Sequence, residues 1–340
     1  MSASSKTIKH FVFTFLSAII LTSSITSCVT TDEYDDNPKG NFEALWRIMD
    51  EHYCFFTQKG IDWNEVHKRY SRQFDATMTD AQTFEVMTKM LSEVKDGHVN
   101  LYTPFNIGRY WAWYEEFPKN YSDSLERKYL KTDYRIASGM DYTIFDDNVG
   151  YIRCKSFLNN TGAGNLDNIL LYMQPCRGLI IDIRNNGGGN VNNAEELAAR
   201  FTNEELLVGY IQHKTGTGHD DFSSLQPQHL KPGKGIRWQK PVIILTNRSV
   251  YSAANEFVKY MKCCPKAKIV GDKTGGGAGL PFSSELPNGW SIRFSACPMY
   301  DKNKQMTEFG IDPDYKVDIS SSDFSRGRDT IIEFARQLLH

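Results

Sequence analysis

The chain has 340 residues, of which 40% are hydrophobic and 13% aromatic, so it can bury a substantial core in one large domain or two smaller ones. Its formal net charge is -2, with acidic and basic residues mixed along the chain. This composition excludes an intrinsically disordered protein and argues against a nucleic-acid partner, which leaves a peptide or a small molecule as the expected ligand.

The N-terminus has the pattern of an export signal. A basic start is followed by the apolar stretch Phe11–Leu21, which is shorter than the roughly 20 residues that a membrane-spanning helix needs. Small residues then lead to Cys28, and Ile25–Cys28 resembles the lipobox of bacterial lipoproteins, in which the cysteine is lipidated and becomes the first mature residue. We therefore predict a lipoprotein signal peptide over residues 1–28, with ordinary cleavage or an uncleaved anchor as alternatives.

Lipidation of Cys28 would tether the exported protein to a membrane of the bacterial cell envelope, on the periplasmic face or at the cell surface. The remaining cysteines lack the spacing of a metal site, and no pair of histidines lies at ligand spacing, so we predict no metal. We expect buried free thiols, because the sequence assigns no disulfide pairing. These cysteines are Cys54, Cys154, Cys176, Cys263, Cys264 and Cys297.

Residues 29–40 are acidic with almost nothing apolar, which indicates a flexible linker. Residues 41–103 are predicted to form a small helical subdomain, because apolar residues recur at helical spacing and a capping box begins at Thr79. The apolar positions are Phe42, Leu45, Trp46, Met49 and Tyr53, followed by Phe84, Met87, Leu91 and Val94. Gly97 is predicted to end the second helix and His98 to begin a strand, which places the histidine at a junction between elements.

Residues 104–145 form an aromatic-rich connector, whose aromatic side chains could belong to a core or line a groove. From residue 146 to residue 340, predicted strands alternate with predicted helices, as in an α/β layered domain with a largely buried sheet. A last helix is predicted over Asp329–Leu339, with Asp329 as its cap.

A strand, a turn and a helix start are predicted around Ser252. The apolar, β-branched run Val242–Leu245 is followed by a polar turn, and Ser252 then opens a segment of small residues. The N-terminus of a helix offers unpaired N–H groups and the positive end of its dipole, so a hydroxyl there suits a nucleophile. The alternative is that Ser252 is an ordinary helix cap.

A glycine run follows the other buried strand, Leu179–Ile183. Gly187–Gly189 would allow a substrate backbone to approach closely and would expose N–H groups, as an oxyanion hole requires. A plain tight turn is the alternative. A phosphate-binding loop is disfavoured, because the run lacks both the ending of a P-loop and the spacing of a dinucleotide fingerprint.

Several ordered motifs resemble the tail-specific or C-terminal processing serine peptidase family. They are Asp182–Gly189, Ser252–Glu256, Val270–Gly277 and Glu308–Asp314, and Asp96–His98 resembles its tricorn-like branch. The resemblance implies a crotonase-like (ClpP-like) α/β core after the helical subdomain, cleavage of extended or unfolded polypeptides, and no metal or organic cofactor. Many relatives also carry a PDZ module, for which the interval between His98 and Gly150 is too short.

Matched position by position, the resemblance implies that Ser252 is the nucleophile and that the N–H groups of Gly188 and Ala253 form the oxyanion hole. The lysine-dependent branch carries its base at the position of Gly277, so that base is absent here. Lys273, four positions earlier, is an alternative base, although a solvated loop lysine is the simpler interpretation.

In the tricorn-like branch a histidine takes the proton and a late glutamate supports the site, and His98 and Glu308 match these positions. Serine needs such a neighbouring base, and a third group must orient the imidazole or organise solvent. The alternatives are a capping or core role for His98 and a strand-edge charge for Glu308. Glu308 lies two residues before Gly310, whereas some relatives place the glutamate three before.

The sequence therefore predicts a lipid-anchored serine endopeptidase of the cell envelope, which forms an acyl-enzyme on Ser252 with His98 as general base. The alternative function is a catalytically silent family member that binds a peptide or an apolar ligand in the same cleft. The physiological substrate and the oligomeric state stay open.

Overall fold

The computed structural model describes residues 34–340. The predicted signal peptide, Cys28 and the first part of the predicted linker lie outside the described residues. The chain first forms four helices, which are α1 (Pro38–His52), α2 (Phe56–Lys59), α3 (Trp63–Tyr70) and α4 (Asp80–Ser92). The capping box predicted at Thr79 is confirmed, because Thr79 and Gln82 bond to each other's main-chain N–H groups. The helix end predicted at Gly97 is wrong, since α4 ends at Ser92 and a turn follows it.

The connector contains short elements rather than one extended segment. The strand β1 (Asn100–Tyr102) precedes it, and the connector itself contains β2 (Ile107–Gly108), α5 (Ala112–Glu115), α6 (Asp123–Leu130), β3 (Arg135–Ala137) and β4 (Met140–Ile144). The strands β1 and β2 join one sheet, whereas β3 and β4 join another. The connector therefore bridges the two sheets of the molecule.

The alternation of strands and helices predicted for the rest of the chain is confirmed. The elements are β5 (Val149–Cys154), α7 (Ala163–Tyr172), β6 (Gly178–Asp182), α8 (Val191–Ala198), β7 (Leu206–Ile211), β8 (Gln226–Leu230), β9 (Val242–Thr246), α9 (Ala253–Met261), β10 (Ala267–Gly271), β11 (Gly279–Glu285), β12 (Ser291–Tyr300), β13 (Tyr315–Lys316), α10 (Ser321–Ser325) and α11 (Thr330–Leu338). Asp329 caps α11 as predicted, because its side chain accepts hydrogen bonds from the N–H groups of Ile331 and Ile332.

A seven-stranded sheet in the order β13-β10-β9-β6-β5-β4-β3 forms the centre of the molecule. Its strands from β13 to β5 are parallel, and β4 and β3 are antiparallel additions at one edge. Every residue of β5, β6 and β9 is buried, because apolar clusters cover both faces of the sheet. The carboxyl ends of β6 and β9 lie side by side, and both predicted site loops follow these two strands.

The second sheet has the order β2-β1-β12-β7-β8, with β11 also paired to β12. The strand β1 pairs antiparallel to β12 and aligns Asn100 with Arg293. The helices α1 to α4 pack with β12 in one apolar cluster that includes Leu45, Trp63 and Phe294. The domain boundary predicted at residue 103 therefore falls inside a sheet that joins the N-terminal helices to the core. Within residues 34–340, every helix is too short or too polar to cross a membrane.

Candidate active site

Ser252 lies at the turn between β9 and α9, with a left-handed φ of 57° that a residue other than glycine rarely adopts. It occupies the N-cap position, but its side chain makes no capping hydrogen bond. Its main-chain N–H donates to the Gly276 carbonyl at 2.9 Å, which fixes the turn. The hydroxyl points elsewhere, because Oγ lies 2.9 Å from Nε2 of His98.

His98 lies in the loop between α4 and β1, and only 4% of its surface is exposed. Its main-chain N–H donates to Oδ1 of Asp96 at 2.7 Å, and its ring packs against Tyr251 with 4.9 Å between centroids. Burial lowers the pKa of His98 to about 4, although Asp96 acts in the opposite direction. The imidazole is therefore neutral near pH 7, and its Nε2 can accept the proton of Ser252.

Asp96 is a buried carboxylate with many hydrogen-bond donors. Tyr53 and Ser295 donate to Oδ2 through hydroxyl groups at 3.0 and 2.9 Å, and the Tyr251 hydroxyl lies 3.3 Å from Oδ1. The Ser295 hydroxyl also lies 3.5 Å from Nδ1 of His98, so it stands between the carboxylate and the imidazole. This places Ser295 where it can fix the orientation of the ring.

Lys59 supplies the positive charge of this region. Its Nζ lies 3.0 Å from Oε1 of Glu308 and 3.6 Å from Oδ2 of Asp96. Burial would raise the pKa of Asp96, but the Lys59 ammonium and His98 outweigh it, so the pKa of Asp96 falls below its usual range. Asp96 therefore stays ionised.

Glu308 lies in this cluster but has no hydrogen bond to His98 within residues 34–340. Its Oε1 pairs with Lys59, and its Oε2 accepts a hydrogen bond from the Ala278 N–H at 2.8 Å. Burial raises the pKa of Glu308 to about 7, with a further contribution from the negative charge of Asp96. The structure thus brings Glu308 near the imidazole only through Lys59 and Asp96.

The residues predicted to form an oxyanion hole lie beside Ser252. Gly188 has a φ of 101°, and a Cβ there would come within 2.7 Å of the Tyr251 carbonyl oxygen and 2.9 Å of the Ala253 nitrogen, so only glycine fits. Ala253 opens α9, where main-chain N–H groups have no partner in the helix. The Gly188 N–H, however, donates to Oδ1 of Asn186 at 2.9 Å. An oxyanion would share this donor with Asn186 or displace the amide.

No side chain fits at position 277, where relatives of the lysine-dependent branch carry their base. A Cβ on Gly277 would lie 2.4 Å from the Tyr251 ring. Lys273, the alternative base, lies 3.7 Å from Asp312 and is 39% exposed. Lys273 thus lies near Asp312, and His98 rather than Lys273 lies next to the Ser252 hydroxyl.

One cavity lies at the candidate site, and a second reaches the neighbouring glycine run. One of about 320 Å³ is lined by His98, Ser252, Ala253 and Gly189, and we call it the serine cavity. Another of about 930 Å³ extends from Gly187 along the connector, and we call it the aromatic cavity. Its aromatic lining residues are Trp111, Trp113, Tyr114, Phe117, Tyr121 and Phe324. Within residues 34–340, no group of three or more His, Cys, Asp or Glu residues could hold a metal ion.

Sequence reasoning missed most of the groups behind His98. Asp96 belongs to the Asp96–His98 motif, although no role for its carboxylate is predicted from the sequence. Its position two residues before the histidine is the signal that could identify it. Tyr53, Lys59 and Ser295 carry no comparable signal, because they reach Asp96 only through the pairing of distant segments.

Comparisons with known proteins identify the family and the fold of the chain. Residues 148–317 match the Peptidase family S41 domain, and residues 34–92 match the Tricorn protease C1 domain. A Staphylococcus epidermidis protein named CtpA-like serine protease is 31% identical over 150 residues, which are 44% of this chain and 29% of that protein. The Bacillus subtilis carboxy-terminal processing protease CtpA is 22% identical over 176 residues, which are 51% of this chain and 36% of that protein. The chain thus spans about a third of the length of these curated relatives.

Solved structures share the fold over nearly the whole described chain. The crystal structure of a candidate peptidase from Parabacteroides merdae is 52% identical, with a TM-score of 0.86, and the match covers 90% of this chain and 97% of that one. Mature CPAF complexed with lactacystin is 11% identical, with a TM-score of 0.68 over 89% of this chain and 97% of that one. At that identity the likeness extends to the fold alone.

Proposed function

The chain belongs to peptidase family S41, and from that premise we propose that it is a serine endopeptidase of the cell envelope that cleaves extended or unfolded polypeptides. One observation carries the proposal. A hydroxyl on a strained turn at a helix start lies 2.9 Å from a buried, neutral imidazole, which is the geometry of an activated nucleophile and its base.

In the proposed acylation step, Oγ of Ser252 attacks the carbonyl carbon of the scissile peptide bond while its proton passes to Nε2 of His98. The carbonyl oxygen becomes an oxyanion, which we place against the N–H groups of Gly188 and Ala253. The C–N bond then breaks, and the imidazolium gives its proton to the leaving amine. An ester between Ser252 and the N-terminal part of the substrate remains.

In the deacylation step, a water molecule gives a proton to His98 and attacks the ester carbonyl. The second tetrahedral intermediate releases the carboxylic acid product, and Oγ of Ser252 recovers its proton from the imidazolium. The Gly188 N–H has to serve an oxyanion in both steps, so the hydrogen bond from Gly188 to Asn186 would be shared with the oxyanion or broken when substrate binds.

Behind the two reacting residues, Asp96 and Ser295 act as positioning residues. The ionised Asp96 stabilises the imidazolium that forms, and the Ser295 hydroxyl connects it to Nδ1 of His98. We assign Glu308 an indirect role in supporting the site. It pairs with Lys59, and the same ammonium also lies close to Asp96.

We propose that an extended polypeptide reaches Ser252 along the aromatic cavity, since Gly187, the neighbour of Gly188 in the proposed oxyanion site, lines this space. Aromatic rings such as those of Trp113 and Phe117 can make apolar contacts with a polypeptide without requiring a particular substrate sequence. No organic cofactor or metal takes part in the proposed reaction, because Ser252 and His98 supply the nucleophile and the base.

Reaction with a serine-directed phosphonate tests the proposal, with intact mass as the readout. The wild type should be modified, Ser252→Ala should not, and His98→Ala should react at least about 10³-fold more slowly. His67→Ala is the matched control, because His67 pairs with Glu43 on the N-terminal helices and should leave the reaction unchanged. Cleavage of an unfolded test polypeptide should follow the same order.

A folded wild-type protein that neither reacts with the phosphonate nor cleaves the polypeptide would overturn the peptidase proposal. The binding function would then be favoured, and titration of peptides against the fluorescence of Trp111 and Trp113 in the aromatic cavity would test it.

The proposed location rests on the N-terminal pattern that ends at Cys28. Expression in a bacterium with a radiolabelled fatty acid should label the wild type and place it in the membrane fraction, whereas Cys28→Ser should be unlabelled. A wild type that carries no label would contradict the lipid anchor without affecting the catalytic proposal.

A further inference from the structure

Among the described residues, Arg293 is the one lysine or arginine that lines the serine cavity, and the proposed reaction does not use it. It lies in β12 two residues before Ser295, so the two side chains extend from the same face of the sheet. From that face, the Ser295 hydroxyl contacts Asp96 and His98. Arg293 therefore lies on the side of the sheet that carries the catalytic histidine.

The guanidinium of Arg293 is not neutralised by a neighbouring acid. Within residues 34–340 this half-buried side chain forms neither a hydrogen bond nor an ion pair. The residues aligned with it on the flanking strands are Asn100 in β1 and Ser283 in β11, and both are uncharged. A guanidinium has five N–H donors in a fixed geometry that matches a carboxylate. Arg293 therefore keeps its hydrogen-bonding capacity for a ligand that enters the cavity.

The acidic residue in the same lining does not offset the charge of Arg293. Glu256 is fully buried, and its carboxylate pairs with Lys259 at 2.5 Å. Both of its carboxylate oxygens have almost no accessible surface, so their charge is shielded from the cavity. The helices α8 and α9 also begin at this space, since their first residues, Val191 and Ala253, line it. Helix N-termini carry partial positive charge, so the lining favours an anion.

The charge of Arg293 is felt at the catalytic histidine. Burial is the main cause of the lowered pKa of His98, and the positive charge of Arg293 lowers this pKa further. A carboxylate bound to the guanidinium would offset that positive charge. An acidic substrate would therefore gain in two ways, because it pairs with Arg293 and makes the imidazole a better proton acceptor.

The serine cavity lies closest to the substrate residue whose carbonyl group is attacked. In the proposed reaction, Oγ of Ser252 and the N–H of Ala253 meet that carbonyl group, and both residues line the cavity. The side chain of the attacked residue branches from the atom next to the carbonyl carbon, whereas the side chain of the leaving residue branches one bond further away. The first of these side chains is thus the one placed to enter the cavity and reach Arg293.

We propose that the serine cavity is the subsite for the residue that supplies the attacked carbonyl, and that Arg293 makes it select acidic side chains. A carboxylate can accept two parallel N–H donors of a guanidinium, which gives both affinity and orientation. This specificity rests on the proposed peptidase function. It names the substrate class as polypeptides with glutamate or aspartate immediately before the cleaved bond.

Three peptides that differ only at the residue before the cleaved bond test the proposal, with Glu, Gln or Lys at that position. Glu and Gln have nearly the same shape, so their comparison isolates the effect of charge. For the wild type near neutral pH, kcat/KM should be at least about tenfold higher for Glu than for Gln, and about a hundredfold higher for Glu than for Lys. Mass spectrometry of the products identifies the bond that is cut.

Two substitutions of Arg293 show whether this residue causes the preference. Arg293→Gln should remove the difference between the Glu and Gln peptides, and Arg293→Glu should reverse the order in favour of Lys. A merely structural role would lower all three rates together without reversing their order. Phosphonate labelling of Ser252 verifies that each variant is folded and active.

Arg237→Gln is the matched control and should keep the wild-type ratios. Arg237 is an exposed arginine that donates to Asn203 and does not line the serine cavity. If the two variants of Arg293 do not fold, Arg293→Lys keeps the charge. It should keep the order of the three rates with a smaller Glu-to-Gln ratio, because an ammonium lacks the fork of a guanidinium.

Equal wild-type rates for Glu and Gln would overturn the proposal, and so would an unchanged Glu-to-Gln ratio in Arg293→Gln. A preference for Glu at another substrate position would also contradict it, because the serine cavity would then not hold the side chain beside the attacked carbonyl. Failure of the peptidase function itself looks different, since no peptide would be cut and no phosphonate would react with Ser252.

Discussion

Two buried ionic clusters near the candidate active site differ in what they contact. The histidine cluster is Lys59, Asp96 and Glu308, and the sheet cluster is Asp182, Arg184 and Asp329. Each combines two carboxylates with one cation. Asp96 of the histidine cluster binds the main chain of His98 and reaches its ring through Ser295, whereas the sheet cluster has no such contact within residues 34–340.

In the sheet cluster, the cation pairs directly with both carboxylates. Arg184 donates to both oxygens of Asp182, to Asp329 at 2.9 Å and to the Asn120 carbonyl at 3.2 Å, so each of its three guanidinium nitrogens has a partner. It ties the carboxyl end of β6 to the start of α11 and so holds the strand from which the glycine loop continues. Its contribution is therefore to the stability of the fold and of this loop.

The histidine cluster has the same number of charges, but one of its carboxyl groups has a raised pKa. The Lys59 ammonium serves two buried carboxylates, and the result is an ionised Asp96 and a Glu308 whose burial raises its pKa to about 7. Buried ions are costly unless they are fully paired. An incompletely paired cluster is therefore expected beside a group whose protonation state it controls, here the His98 imidazole. The comparison teaches that burial of ions alone does not identify a catalytic cluster. Contact with the catalytic base, here His98, is what distinguishes it.

The largest expected difference between the clusters comes from two isosteric changes, Asp96→Asn and Asp182→Asn. Each should lower the free energy of unfolding by about 3 kcal/mol, because each leaves a buried cation short of a partner. Only Asp96→Asn should slow phosphonate labelling of Ser252, by about 10²-fold, since it removes the charge that stabilises the His98 imidazolium. Urea unfolding and the labelling rate of the folded fraction measure the two effects. Equal labelling losses in both variants would remove the distinction between the clusters.

A second prediction concerns the stability of the fold in acid. The folded pKa of His98, about 4, lies below its ordinary value of 6.5, so the neutral form is favoured by folding. This contribution is fully present above pH 6.5 and is lost as the pH falls through about 4. The wild type should therefore lose about 3 kcal/mol relative to His98→Gln between pH 7 and pH 4. Parallel pH dependence of the two unfolding free energies would contradict the lowered pKa.

The part of the site around the serine could be predicted from sequence, because it is local. The strand β9, the turn and the start of α9 are consecutive, so their pattern places Ser252 and Ala253 at a bend without knowledge of the rest of the fold. The glycine loop could be predicted for the same reason, because it directly follows β6 in the chain. That the two loops come together also follows, since adjacent parallel strands end at the same edge of a sheet.

The part behind the histidine could not be predicted, because long-range strand pairing assembles it. Ser295 lies in β12, which pairs with β1 and β7 from distant parts of the chain and with β11. Lys59 ends the four-residue helix α2, where a lysine typically faces solvent. Only 9% of its side chain is exposed here, because Asp96 and Glu308 come to it from distant segments.

A third prediction isolates the bridge between Asp96 and the imidazole. Ser295→Ala removes the hydroxyl at 2.9 Å from Asp96, so labelling of Ser252 should slow about tenfold and the free energy of unfolding should fall by about 1 kcal/mol. Ser291→Ala on the same strand is the matched control, because Ser291 donates only to the Ser284 carbonyl. A purely structural role for Ser295 would lower stability without moving either the labelling rate or its dependence on pH.

The smallest effect on catalysis is expected from Glu308→Gln. The amide oxygen can still accept a hydrogen bond from Lys59 or from the Ala278 N–H, although not from both, and Glu308 acts on His98 only through other residues. Labelling of Ser252 at pH 8 should therefore change by roughly threefold or less, as measured by the rate of phosphonate reaction.

The same variant should nevertheless alter how stability depends on pH. The folded pKa of Glu308, about 7, lies above its ordinary value of 4.5, so this contribution to stability is fully present below pH 4.5 and is lost as the pH rises through 7. Urea unfolding at pH 5 and pH 8 should show the wild type losing stability relative to Glu308→Gln at the higher pH. If labelling instead fell a hundredfold while stability changed little, Glu308 would act on the imidazole more directly than Asp96 does. Glu308, rather than Asp96, would then be the carboxylate of the histidine cluster that stabilises the His98 imidazolium.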